Sequence, residues 1–247
     1  MLPTVISLSA LFLPAIASSS PGLRGVVSPP LAHPACEALE NYQAPYVQSN
    51  YSRAQHMGFY YELAFRDLYP APPHSDCHST TKFSVSDSEY DERFTFDVIE
   101  YGTTMRCSTL IAMTSTSSPL VVDQVMTATN ISGHALPPLG SAKFHTTIVA
   151  FSESPGSGPD NQYEWVVEFT CGSSDSLAIP LLFPGGFVGI NMYSKSAPHT
   201  DQGNLNLAEM LEAAEELGLA WATDSESWQG LDSGFNVVPH GPDCEYQ

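Results

Sequence analysis

The stretch Met57-Gly58-Phe59-Tyr60-Tyr61-Glu62-Leu63-Ala64-Phe65 decides how the rest of the chain is read. Gly58 admits backbone geometry, or a close approach, that a Cβ would block. Tyr60 supplies a flat amphipathic ring, and the residues after it suit the first wall of a sheet. The segment is predicted as a strand over 58–66.

Working outward, the stretch Tyr69–His74 contains Pro70, Pro72 and Pro73 and is expected to be a loop. Further strands are predicted at 79–86, 92–101, 105–116, 120–129, 142–152, 163–171 and 187–194. Alternation is cleanest in the third, where Phe94, Phe96 and Val98 share one face and Arg93, Thr95 and Asp97 the other. Phe83 and Val85 share a face of the second strand, and Trp165, Val167 and Phe169 share one in the seventh. A strong helical pattern comes only after these strands. Leu207, Met210, Leu211, Ala214 and Leu217 form an apolar stripe over 207–217, with Asn206 as N-cap and Gly218 as the stop. The fold class is therefore all-β, and a closed sheet of eight strands encloses just enough room for one small ligand. Phe83, Val85, Phe94, Phe96, Val98, Trp165, Val167 and Phe169 are the expected ligand-binding lining.

The 247 residues include 8 Lys and Arg against 27 Asp and Glu, a formal charge of −19. Such a surface repels nucleic acid and anionic lipid, so neither is an expected partner. Residues 1–17, with an apolar run from Val5 to Ile16 and Ala15-Ile16-Ala17 at its end, read as a secretory signal peptide. No other segment has the ~20 apolar residues a membrane span needs. Residues 18–35, rich in Ser, Pro and Gly, read as a disordered mature terminus, and 36–247 as one domain. The expected location is extracellular, or an organelle lumen reached by the same route. Asn50-Tyr51-Ser52 and Asn130-Ile131-Ser132 are glycosylation sequons at Asn50 and Asn130.

Several features together resemble the lipocalins, in particular their apolipoprotein D-like and bilin-binding-like members. Cys36, Asn50-Tyr51 and Gly58-x-Tyr60-Tyr61-Glu62 follow one another in the family's N-terminal order. Tyr163–Cys171 resembles the strand of the second family motif, and Met192-Tyr193-Ser194-Lys195 the third. The chain departs from the pattern in having Tyr60 for the usual Trp and Lys195 for the usual Arg, as a divergent member would. The resemblance implies an eight-stranded up-and-down antiparallel β-barrel with one C-terminal α-helix packed outside. It also implies closure of one barrel end by Gly58, Tyr60 and Lys195, through a cation–π contact. By the same likeness Cys36 pairs with Cys171 and Cys77 with Cys244. The implied function is binding, with transport or sequestration, of a small hydrophobic ligand such as a lipid, retinoid, sterol or pigment.

Cys107 is then odd, and is expected as a small buried residue. The alternative function is an enzyme on the same barrel, either a thiol-dependent isomerase using Cys107 or a pigment-modifying enzyme. No catalytic residue is assigned. His74, Asp76, Cys77 and His78 have the look of metal ligands, but an oxidised Cys77 cannot ligate, so no metal and no cofactor are expected. A receptor or oligomeric partner is left open.

Overall fold

A computed structural model describes residues 39–66, 75–100, 103–115, 120–131, 134–136, 143–153, 161–172, 187–219 and 236–246. The predicted leader, the disordered terminus, Cys36 and the Tyr69–His74 loop lie outside the described residues. The strands are β1 (Gly58–Arg66), β2 (Ser75–Ser84), β3 (Glu89–Glu100), β4 (Thr103–Ser115), β5 (Val121–Ile131), β6 (His134–Leu136), β7 (Lys143–Phe151), β8 (Trp165–Gly172), β9 (Phe187–Ser194) and β10 (Asn236–Val237). Eight of them run antiparallel in the order β1-β2-β3-β4-β5-β7-β8-β9, and β1 also pairs with β9, which closes the barrel. Tyr61 marks the closure, with Ser79 of β2 opposite it on one side and Ser194 of β9 on the other. The chain thus forms a closed eight-stranded antiparallel β-barrel, as the sequence led one to expect. β6 folds back on β5.

The strand β10 does something the sequence did not foretell. β2 pairs with β1 only over Gly58–Tyr61, and β10 takes its place beside Ala64 and Phe65. The tail after β10 is held there by Cys77 N–H donating to Pro239 O at 2.9 Å and by the Cys77–Cys244 disulfide. The seam between β1 and β2 is therefore bridged by the C-terminal tail.

Among the described residues three α-helices pack on the barrel: α1 (Val47–Asn50), α2 (Arg53–His56) and α3 (Asp201–Glu216). The first two lie across the end where β1 starts. Tyr46 ties this segment to the wall, its hydroxyl donating to Phe151 O at 2.6 Å while Phe151 N–H donates back at 3.0 Å. α3 begins six residues before the predicted Leu207. Its N-cap is Thr200, whose hydroxyl accepts from Gly203 N–H, and not Asn206. Asn206 is buried within the helix and donates to Ser194 Oγ at 2.8 Å and Glu164 Oε1 at 3.0 Å, so its polarity serves docking and not capping. Gly218, at φ 70°, ends the helix as predicted, a conformation that favours glycine.

Met210 and Ala214 of α3 pack outside the barrel on Leu63, Ala64, Trp165, Val167, Phe169, Ile190 and Met192. Trp165 Nε1–H donates to Glu209 Oε2 at 2.7 Å, so the indole reaches up to the helix. Removing this much apolar surface from water, at roughly 25 cal/mol per Å², is what holds the helix down.

Candidate functional site: the barrel interior

Register fixes which side chains face inward. Tyr60 lies opposite Thr80, Thr80 opposite Phe94, and Phe94 opposite Thr109. Val166 lies opposite Tyr193 and Glu168 opposite Asn191. In an antiparallel pair, directly opposed residues point to the same face. Phe94, Phe96 and Val98 of the expected lining accordingly face the interior, with Phe94 and Phe96 buried.

The other five do not. Phe83 and Val85 point outward, 38% and 58% exposed, and the inward positions next to Phe83 in β2 are Thr80 and Lys82. Arg93 covers the Phe83 ring from the neighbouring strand, 5.5 Å from its centre. Trp165, Val167 and Phe169 also point outward, into the layer under α3. Period-two alternation identifies a strand's two faces but not which one is inside. In β8 the helix takes the apolar face, and the barrel receives Val166, Glu168 and Thr170.

The end of the barrel near α1 and α2 is filled by a charged network. Lys82, fully buried, lies 2.7 Å from Glu92 Oε2 and 2.9 Å from Glu168 Oε1. His56 Nε2 lies 2.9 Å from the same Glu168 oxygen, and the Tyr51 hydroxyl meets His56 Nδ1 at 2.9 Å. Burial alone raises a carboxyl, but Lys82 and then His56 draw Glu168 down to about 2. Burial opposes the Lys82 charge, yet the Glu168 and Glu92 carboxylates hold its ammonium above the ordinary value. His56 is pushed by burial down to about 4 and is neutral at pH 7. Lys82 also lies 5.0 Å from the centre of the Tyr193 ring.

Lys195 closes this end from outside. Its Nζ lies 3.7 Å from the centre of the buried Tyr60 ring and donates to Met57 O at 3.3 Å. Gly58 sits beside the contact at φ 99°, and a Cβ there would come within 2.7 Å of Gln162 Nε2 and 3.0 Å of Lys195 Nζ.

Away from that end the wall changes character. Phe94, Phe96 and Cys107 cluster with Val98 and Ile111. The His78 ring lies 5.0 Å from Phe65, 5.5 Å from Phe94 and 5.9 Å from Phe96. His78 Nδ1 is 2.6 Å from Glu62 Oε2, and its Nε2 is 2.7 Å from Ser75 Oγ. Glu62 Oε1 accepts from Asn191 Nδ2 at 2.8 Å. Burial pushes the Glu62 carboxyl up to about 8 and the His78 imidazole down to about 4, so both favour their neutral forms at pH 7.

Cys107 is buried, and burial raises its thiol above the ordinary value, the opposite of what an activated nucleophile requires. Arg106 faces outward and pairs with Asp97. His145, on the outward face of β7, pairs with Asp123 at 2.7 Å. Cys77 is oxidised, His74 lies outside the described residues, and no group of three metal-ligating side chains occurs among the described residues. Cys171 is disulfide-bonded, while its expected partner Cys36 lies outside the described residues. Among the described residues no helix is long and apolar enough to cross a membrane.

No protein-family model matches the chain, and no curated protein matches it. Among solved structures it is similar to the siderocalin Ex-FABP, at 12% identity and TM-score 0.41, over 78% of this chain and 99% of that one. It is similar to the amine binding protein of Rhodnius prolixus, in its tryptamine complex, at 8% identity and TM-score 0.41, over 66% of this chain and 75% of that one. Insecticyanin from the tobacco hornworm Manduca sexta matches at 12% identity and TM-score 0.40, over 79% of this chain and 91% of that one.

Proposed function

We propose that the chain is a divergent, secreted lipocalin of the apolipoprotein D-like kind that binds a small hydrophobic ligand in the half of its barrel away from Lys195, for transport or sequestration. The observation that carries this reading is the inward wall of Phe94, Phe96 and Val98, continued by Ile111, in a closed eight-stranded sheet. Contact with apolar carbon at roughly 25 cal/mol per Å² supplies affinity, and the rings supply shape. The charged half below, with Lys82 already held between two carboxylates, acts as a floor.

Export fits the apolar leader at 1–17 and the Cys77–Cys244 disulfide, a bond that persists in oxidising compartments. Glycans at Asn50, exposed at the end of α1, and at Asn130 belong to the same reading. The test is extraction and mass analysis of whatever the natively purified protein carries. A stoichiometric apolar small molecule is expected. A protein that carries none, and takes up none from a panel of fatty acids, retinoids, sterols and bilins, overturns the reading.

A further inference from the structure

We propose that the barrel also holds a serine nucleophile: Ser75, with His78 as its proton acceptor and Glu62 as the group that orients the imidazole, acting on esters of a small hydrophobic guest. The substrate class rests on the ligand-binding reading above. The chemistry rests on geometry that stands without it.

The three side chains form an unbroken line, Ser75 Oγ to His78 Nε2 at 2.7 Å and His78 Nδ1 to Glu62 Oε2 at 2.6 Å. Nucleophile, base and orienting carboxylate within hydrogen-bond reach define this arrangement on any fold. Asn191 fixes the far oxygen of Glu62 at 2.8 Å, so the carboxylate has one orientation.

The backbone is distorted to make the line possible. Ser75 and His78 are three apart and would fall on opposite faces of a regular strand. The register of β2 shifts between Asp76 and Ser79, and Cys77 takes φ 58°. That bulge turns both side chains to the interior, and the Cys77–Cys244 disulfide and the Pro239 contact clamp it. β1 has its own register shift between Glu62 and Ala64. Two strand irregularities and a strained non-glycine residue meet at one buried side-chain line, the sort of place where strain accompanies function. Ser75 lies opposite Val98, on the same face as the apolar wall, and is the member of the line farthest from the end where β1 starts.

With Glu62 ionised, the carboxylate holds Nδ1–H and leaves Nε2 to accept. The Ser75 Oγ–H proton passes to Nε2 as the bond from Oγ to the acyl carbon forms. The bond from that carbon to the alkoxy oxygen then breaks, and the alcohol leaves with the proton from Nε2. Water repeats the sequence: it gives a proton to Nε2, bonds to the acyl carbon and breaks the bond to Oγ, which recovers the proton. One ester and one water give one acid and one alcohol. Glu62 is faced by Lys82, Glu92 and Glu168, by Asn191 and by His78. Ionising it is the step that readies the line.

The test treats the whole protein with an alkyl fluorophosphonate, which loses fluoride as the bond between Oγ and phosphorus forms, and with p-nitrophenyl octanoate. Binding of a naphthylamine fluorophore is measured in parallel. Expected are a phosphonyl label mapped by mass to Ser75, and a labelling rate that climbs into the mildly alkaline range. His78→Asn and Glu62→Gln should each slow labelling by about 100-fold and, for Glu62→Gln, the pH rise should be gone. Label mapping on the wild-type chain needs no variant, so an unfolded variant does not obscure the answer. Fluorophore binding with Ser75 unlabelled, or labelled equally fast in folded His78→Asn, overturns the nucleophile and leaves the binding reading standing. Labelling of Ser75 without fluorophore binding overturns the binding reading alone.

Discussion

Lys195 Nζ sits 3.7 Å above the centre of the Tyr60 ring, joining the end of β9 to the start of β1 across the barrel seam. The contact joins residues 135 positions apart at the point where the first and last barrel strands must meet. Its worth is modest, about 0.5–2 kcal/mol for a cation over an aromatic face. Lys195→Met should lower stability by that amount in urea titrations, while Lys195→Arg should retain most of it. A double-mutant cycle with Tyr60→Leu should return a coupling of about 1 kcal/mol.

Gly58→Ala tests the same corner through the backbone. Its φ of 99° is one an L side chain rarely adopts, and the added methyl meets Gln162 and Lys195. Gln162 can move aside, so the conformation sets the cost, about 1–3 kcal/mol. The thermal midpoint should fall with the fold unchanged by circular dichroism.

Lys82 is the positive charge that neutralises buried Glu92 and Glu168. Lys82→Met strands two carboxylates in the interior and should cost about 3–5 kcal/mol. Adding Glu92→Gln and Glu168→Gln to Lys82→Met should recover much of the loss, because the charges are then removed together. Equilibrium denaturation of the single and triple variants checks both statements.

Acid and base act on different groups. His56, His78 and His240 are each lowered by burial to about 4, so between pH 6.5 and 4 the unfolded chain binds protons that the native one does not. Stability is therefore lost as pH falls through that window. Glu62 is raised to about 8, so from about 4.5 to 8 the native state holds a proton that the unfolded state has released, and stability is lost as pH rises. Three histidines outweigh one glutamate on the acid side, which places the maximum near pH 6.5. Urea midpoints measured across this range should show that maximum, and Glu62→Gln should flatten the alkaline limb.

The Cys77–Cys244 bond closes a loop of 167 residues and holds the tail in the β1–β2 seam. Cys244→Ser should destabilise by about 2–5 kcal/mol. It should also raise hydrogen exchange at Leu63 O's partner, the Val238 amide.

Much of the fold was legible because strand existence follows from alternation and turn residues, which are local signals. β1 and β9 were found with their observed limits, and the other barrel strands were displaced by a few residues. The interior was far less legible. Phe94-Thr95-Phe96 reads the same whichever side faces in, and the Trp165, Val167 and Phe169 face of β8 is the more apolar of the two although it is the outer one. Glu168 lies inside because Lys82 lies across from it, and closure between β1 and β9 is what brings β2 and β8 face to face across the interior. Scarce cations were the usable clue: a lysine between Thr81 and Phe83 in a chain with 8 Lys and Arg is informative. The Ser75–His78–Glu62 line depends on a bulge, and no local pattern announces a change of strand parity.

The central claim is that guests bind inside, against Phe94 and Phe96, and not on the outer aromatic faces. The most direct measurement is fluorescence titration of an environment-sensitive apolar probe against Phe96→Ala, Phe83→Ala and the wild-type protein. A weakening of about tenfold or more in Phe96→Ala, with Phe83→Ala unchanged, is the predicted result. Equal affinity in all three, or loss only in Phe83→Ala, would contradict it.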